Sequence, residues 1–228
     1  MILVLTCEHA GNEIPKDFQA LFRPYQKELN THKGFDLGAL DVFQSLKPLA
    51  SFYIYETTSR LLIELNRSLH HKDLFSKISK GLDFEKKELI IKTIYKPYRN
   101  GVEEKISKYL TEGHQVLHLS IHSFTPIFSN VTRNCDLGIL YDPNRKEEKE
   151  VAINIKEKIL ENSSLKVRFN YPYKGSSDGF TTYLRKKFPN HYFGIELEIN
   201  QKFSHKNYME NGIKDIIYRT VQPLVTNL

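Results

Sequence analysis

The sequence predicts an α/β fold, a three-layer α/β/α sandwich around a central mixed, largely parallel sheet. Two patterns carry this expectation. Short apolar runs of strand length, rich in β-branched and aromatic residues, alternate with longer segments of helical periodicity. Several of the short runs are apolar throughout rather than at every second position, as strands covered on both faces are.

The strand-like runs lie at residues 2–6, 52–55, 61–65, 116–121, 137–141 and 193–199. Helical patterns fall between and after them. The spacing predicts helices over 36–46, over 85–110 with a break at Pro97, over 147–160, where Val151, Ile155 and Ile159 align, and over 207–221, which stops before Pro223. No low-complexity stretch or linker divides the 228 residues, so residues 1–228 are expected to form a single domain with one sizeable core.

Composition narrows the function classes. Hydrophobic residues make up 40% and charged residues 26%, the balance of a chain that folds by itself. The net charge of +6 is spread through mixed runs, which favours anionic ligands weakly. Nucleic acid is not an expected partner, because no basic stripe with aromatics and no recognition module is present. No membrane partner is expected either, since no apolar run nears the length of a bilayer span, and without a basic leader before residue 2 a cytoplasmic protein is expected. Cys7 and Cys135 are expected to be reduced and structural. A monomer or small homo-oligomer is expected.

In an open α/β sheet, ligands gather at the carboxyl ends of the strands, so the polar residues that end apolar runs are the ones to inspect. The first run ends in Glu8 and His9 before a glycine-containing turn. The run from residue 116 places His118, Ser120 and His122 on one face, His122 outermost. The last run carries Glu196 and Glu198 on one face. Two carboxylates in such a setting need a cation or protons. Two histidines and a carboxylate at strand ends suit a catalytic zinc with an open position for water, and a further carboxylate can activate that water. Each residue alone also has an ordinary reading: a histidine at a strand end is more often hydrogen-bonded scaffold, and a glutamate can pair with a lysine.

Arg60 and the pair Asn66 and Arg67 bracket a further apolar run. Arg67 suits bidentate capture of a substrate carboxylate with Asn66 beside it, and Arg60 suits a developing oxyanion or a second carboxylate. The other reading is an ordinary solvated strand end. Phosphate-binding glycine loops, zinc-ribbon cysteines and a serine-hydrolase elbow are all missing.

Five strings taken together, CEHAGNEIP (7–15), HKGFDLGA (32–39), SRLLIELNRS (59–68), IHSFTP (121–126) and GIELEINQ (194–201), resemble the N-formylglutamate amidohydrolase family. Their order and spread make the combination far more specific than any one of them. The family is similar to zinc carboxypeptidases and aspartoacylases, so the resemblance implies a phosphorylase/hydrolase-like, zinc-carboxypeptidase-like fold and a small-molecule substrate bearing a carboxylate. It implies Zn2+ as cofactor, held by His9 and His122. The similar enzymes carry a glutamate three residues after the first histidine, where this chain has Asn12. The third ligand is then Asp36, with Glu13 as the alternative, although Asp36 also suits a helix cap. Glu198 is chosen as general base over Glu196, because the family's late glutamate is followed by an aliphatic and a small polar residue. Glu196 and Ser123 join Asn66 and Arg67 on the substrate side. Residues 95–99 and 171–175 resemble family loops near the substrate. The activity implied is hydrolysis of N-formyl-L-glutamate to formate and L-glutamate. Alternatives are another N-acyl amino acid or a small peptide, or a binding protein that kept the fold and not the activity.

Overall fold

The structure, a computed structural model, describes residues 1–225. Six strands form the central sheet: β1 Ile2–Cys7, β2 Phe52–Tyr55, β3 Val116–Phe124, β4 Leu137–Leu140, β5 Val167–Phe169 and β6 Tyr192–Asn200. Their order is β2-β1-β3-β6-β4-β5. Strands β2, β1, β3 and β6 are parallel, β4 pairs antiparallel with β6, and β5 is parallel to β4. The sheet is therefore mixed and largely parallel, as the apolar runs predict.

Strands β1, β3 and β6 are buried along their whole length because helices cover both faces. On one face Leu3, Leu5, Leu117, Leu119, Ile121, Ile195 and Leu197 meet helices α1 Ala39–Leu46, α4 Lys146–Glu161 and α6 Asn211–Val221. The opposite face carries Ile2, Val4 and Val116, against α2 Phe84–Ile90, α3 Lys96–Thr111 and α5 Phe180–Lys187.

The helix expected over 85–110 is not broken at Pro97: the chain is helical throughout residues 84–111. Between α2 and α3 the chain makes a π-helical turn, Ile91–Tyr95, and Pro97 then sits in the first turn of α3, where its missing N–H costs least. The last helix starts four residues later than its periodicity suggests, because Tyr208–Met209 pairs with Ser204–His205 in a short hairpin.

The run at 61–65 is not a strand. Leu62, Ile63 and Leu65 are buried in the second core, but the backbone is irregular and its carbonyls are satisfied by side chains. Ser76 and Ser79 donate to Leu61 O at 2.5 and 3.1 Å, and Arg99 donates to Leu65 O at 2.9 Å. A five-residue apolar run gains its burial either way, and here donors from distant side chains make the ladder unnecessary.

Among the described residues no helix is long and apolar enough to cross a membrane.

Candidate active site

Strand β1 has β2 on one side and β3 on the other, so the crevice at its carboxyl end opens where the sheet order reverses. Alternation places Thr6, then Glu8 just past β1, on the same face as His118, Ser120 and His122 of β3. The register sets Ser120 opposite Glu196 and His122 opposite Glu198 on β6. One face of the sheet thus changes from apolar to polar along three adjacent strands.

Asp36 reaches this column from the chain entering α1. Its N–H donates to His9 O at 3.0 Å, which pins the segment to the end of β1. Gly38, at φ 78°, then turns the backbone into the helix, with its N–H held by Asn207 Oδ1 at 2.7 Å. The Asp36 side chain does not cap α1. Its Oδ2 lies 3.3 Å from His9 Nδ1 and 3.0 Å from His122 Nδ1, and its Oδ1 accepts from Arg60 Nη1 at 3.1 Å. His9, Asp36 and His122 are all buried, and one ligand atom from each lies within 4.8 Å of the others, so the cluster could hold a metal ion. Two imidazole nitrogens and a carboxylate oxygen are a donor set suited to a divalent ion such as zinc.

Each histidine has a carboxylate near its other nitrogen. Glu64 Oε1 pairs with His9 Nε2, and Glu8 Oε2 stands 3.3 Å from His122 Nε2. Burial alone would push Glu64 up, but Arg60 and His9 hold its carboxyl well below the usual range. Burial likewise opposes protonation of His122, yet hydrogen bonds to Asp36 and Glu8 keep its pKa well above that of a free histidine.

Glu198 differs from these carboxylates. It is buried, its Oε2 has no hydrogen-bond partner among the described residues, and burial with the charges of Asp36 and Glu196 pushes its pKa to about 8 against the pull of His122. A buried carboxylate oxygen left without a partner is expensive unless something in the adjoining space meets it.

That space is a cavity of about 330 Å³ lined by His9, Asp36, Arg60, Asn66, Arg67, His122, Ser123, Glu196 and Glu198, with Tyr173, Lys174 and Asp178 among the rest of its wall. All nine residues proposed from the sequence meet there. Their engagements differ. Arg60 grips Glu64 Oε2 through Nε and Nη2, at 2.8 and 2.5 Å, as well as Asp36. Three of its five N–H groups are committed, and two remain. Asn66 accepts from the N–H of Phe180 at 2.7 Å and donates to Glu196 Oε2 at 3.4 Å. Arg67 Nη1 donates to Asp178 O. Ser123 donates to Leu37 O at 2.7 Å and accepts from Gln201 Nε2 at 3.0 Å.

Glu13 lies outside the cluster: it is exposed, and its carboxylate accepts from Thr57 Oγ1 at 2.9 Å. Asn12 is tied to Leu29 O and Asn30 Oδ1 away from the cavity. The two aromatic loops also part company. Tyr173 and Lys174 line the cavity, whereas Tyr95 and Arg99 brace the Arg67 carbonyl from behind, at 2.7 and 3.2 Å. Sequence reasoning assigned no role to Glu64, whose signal is a lone carboxylate inside an apolar run, or to Glu8, which the strand end did expose.

No curated protein sequence matches the chain significantly. Among the solved structures that share the fold are two that match nearly the whole chain. A gene product of Agrobacterium tumefaciens is 23% identical with a TM-score of 0.77, the match covering 97% of this chain and 91% of that one. The N-formylglutamate amidohydrolase of Ralstonia eutropha JMP134 is 18% identical, also with a TM-score of 0.77, over 97% and 92%. The profile of the N-formylglutamate amidohydrolase family matches residues 1–204, and the chain belongs to that family.

Proposed function

We propose that this chain is a zinc-dependent hydrolase of N-acyl amino acids, with N-formyl-L-glutamate as its foremost substrate and formate and L-glutamate as products. One observation carries the reading: Glu198, whose Oε2 has no partner among the described residues, lines the same cavity as the His9, Asp36 and His122 donors. Those three residues would hold the ion, which when bound supplies Lewis-acid polarisation of an amide carbonyl and makes water a better nucleophile at neutral pH.

The chain's own residues do the rest. Glu198 takes a proton from the attacking water and delivers it to the departing amine nitrogen as the C–N bond breaks. Arg60, already fixed by Asp36 and Glu64, turns its remaining N–H groups to the carbonyl oxygen as charge builds there. Arg67 takes the substrate's carboxylate, and Asn66 holds the wall between Glu196 and α5 in place. The family and the cationic groups of the cavity both favour an acidic substrate.

The test is a panel of N-formyl and N-acetyl amino acids, acidic and neutral, assayed with zinc-loaded protein and with Glu198→Gln. The variant should keep its zinc and lose turnover by about 100-fold or more. Near-parental turnover rejects Glu198 as the base, and failure of the parent on every member of the panel rejects the enzymatic reading.

A further inference from the structure

Glu8 is one of the most enclosed carboxylates among the described residues, and no lysine or arginine among them pairs with it. Its Oε2 accepts from Ser120 Oγ at 2.6 Å and stands 3.3 Å from His122 Nε2, while its Oε1 accepts from Tyr98 OH at 3.2 Å. Ser120 Oγ is itself 2.8 Å from His122 Nε2. A hydroxyl whose proton goes to Glu8 accepts from the imidazole, so Nε2 carries a hydrogen, and Nδ1, hydrogen-bonded to Asp36, is the nitrogen left to turn a lone pair to an ion that displaces its proton. A buried carboxylate is costly unless it is paired and satisfied, and this one is spent on a histidine and two hydroxyls.

The same strand provides a contrast. His118, four residues earlier on the same face, has two hydroxyls as its hydrogen-bond partners among the described residues, Thr6 Oγ1 at 2.9 Å and Tyr192 OH at 2.7 Å, and does not line the cavity. The histidine at the cavity has a carboxylate behind it, and the histidine in the core does not.

We infer that Glu8, acting directly and through Ser120, is a positioning residue that holds His122 in the orientation and tautomer that present Nδ1 to a metal ion. The inference rests on the metal-dependent reading proposed above. Glu8 touches neither substrate nor ion. It fixes the ring and strengthens the imidazole as a ligand.

The experiment measures zinc dissociation constants of the full chain by competition with a chromophoric chelator. Visible absorption of the cobalt(II)-substituted protein and melting of the metal-free chain are followed alongside, for the parent, Glu8→Gln and Ser120→Ala. Zinc should bind about 10-fold to 100-fold more weakly to Glu8→Gln, with a changed cobalt spectrum. Ser120→Ala should lose less, because Glu8 still faces Nε2. Zinc affinity within twofold of the parent and an unchanged cobalt spectrum, with only the melting of the metal-free chain lowered, would overturn the inference and leave Glu8 a scaffold residue. If Glu8→Gln does not fold, Ser120→Ala decides alone, and parental affinity there overturns it. A parent that binds no zinc removes this inference and the functional reading together, whereas a parent that binds zinc no better than Glu8→Gln removes only this one.

Discussion

Glu64 meets His9 on the side of the imidazole that faces away from Asp36: Oε1 pairs with Nε2, while Oε2 is held by Arg60. One carboxylate therefore fixes a histidine and an arginine that both line the cavity. Glu64→Ala leaves the buried His9 and the half-buried Arg60 with Asp36 as their one remaining carboxylate among the described residues. Breaking such a pair costs about 3 kcal/mol or more, and urea unfolding of parent and variant, both metal-free, reads the loss. Equal stabilities would mean that water replaces the carboxylate.

Arg67 is proposed to read the substrate. One of its N–H groups is committed to Asp178 O, and the guanidinium forms part of the cavity wall. If it binds the substrate's carboxylate equally in ground and transition states, Arg67→Ala raises KM by about 10-fold to 100-fold with little change in kcat. Steady-state kinetics on N-formyl-L-glutamate separate the two constants. A fall in kcat at constant KM would place Arg67 at the reacting atoms instead.

His118 predicts a pH dependence of stability. Burial lowers its pKa from 6.5 to about 4, so the folded chain keeps it neutral where the unfolded chain protonates it. As the pH falls through 6.5 the unfolded state binds the extra proton, and stability is lost progressively until the pH reaches about 4. Over that window the loss amounts to about 3 kcal/mol. His118→Gln should be less stable than the parent near neutrality and lose less on acidification. Urea midpoints of the metal-free proteins across the window check this, and parallel curves would contradict it.

Gly138 of β4 lies opposite Glu198 of β6, and a Cβ there would stand 1.9 Å from Tyr171 O and 3.2 Å from Glu198 Cβ. The backbone carbonyl cannot swing aside as a side chain does. Gly138→Ala should cost about 3 kcal/mol and reduce turnover by displacing Glu198, as thermal melting and kcat measure. A variant with parental melting would show that the two segments separate freely.

Much of the site was legible because polar residues ended apolar runs. His9, His122, Glu196 and Glu198 stand out wherever a buried strand stops being apolar, and the strand alternation that groups them is local. Asp36 was reachable only through the family resemblance, since its contacts with both histidines cross 27 and 86 residues. Glu64 was hidden inside a run that reads as a strand, and that run is buried without a strand ladder by donors from Ser76, Ser79 and Arg99. Helix α5 left little trace because its start is fixed by Asn66, 114 residues away, rather than by a local cap. The reversed direction of β4 depends on pairing with β6, which no local pattern encodes.

The proposed chemistry requires a metal ion at the ends of β1 and β3, and its most direct test is the metal content of the purified protein beside His122→Ala, both supplied with zinc and then desalted. The prediction is about one zinc per chain in the parent and none retained in the variant. A parent that retains no zinc, or a variant that retains as much as the parent, would contradict the site and with it the chemistry proposed for this cavity.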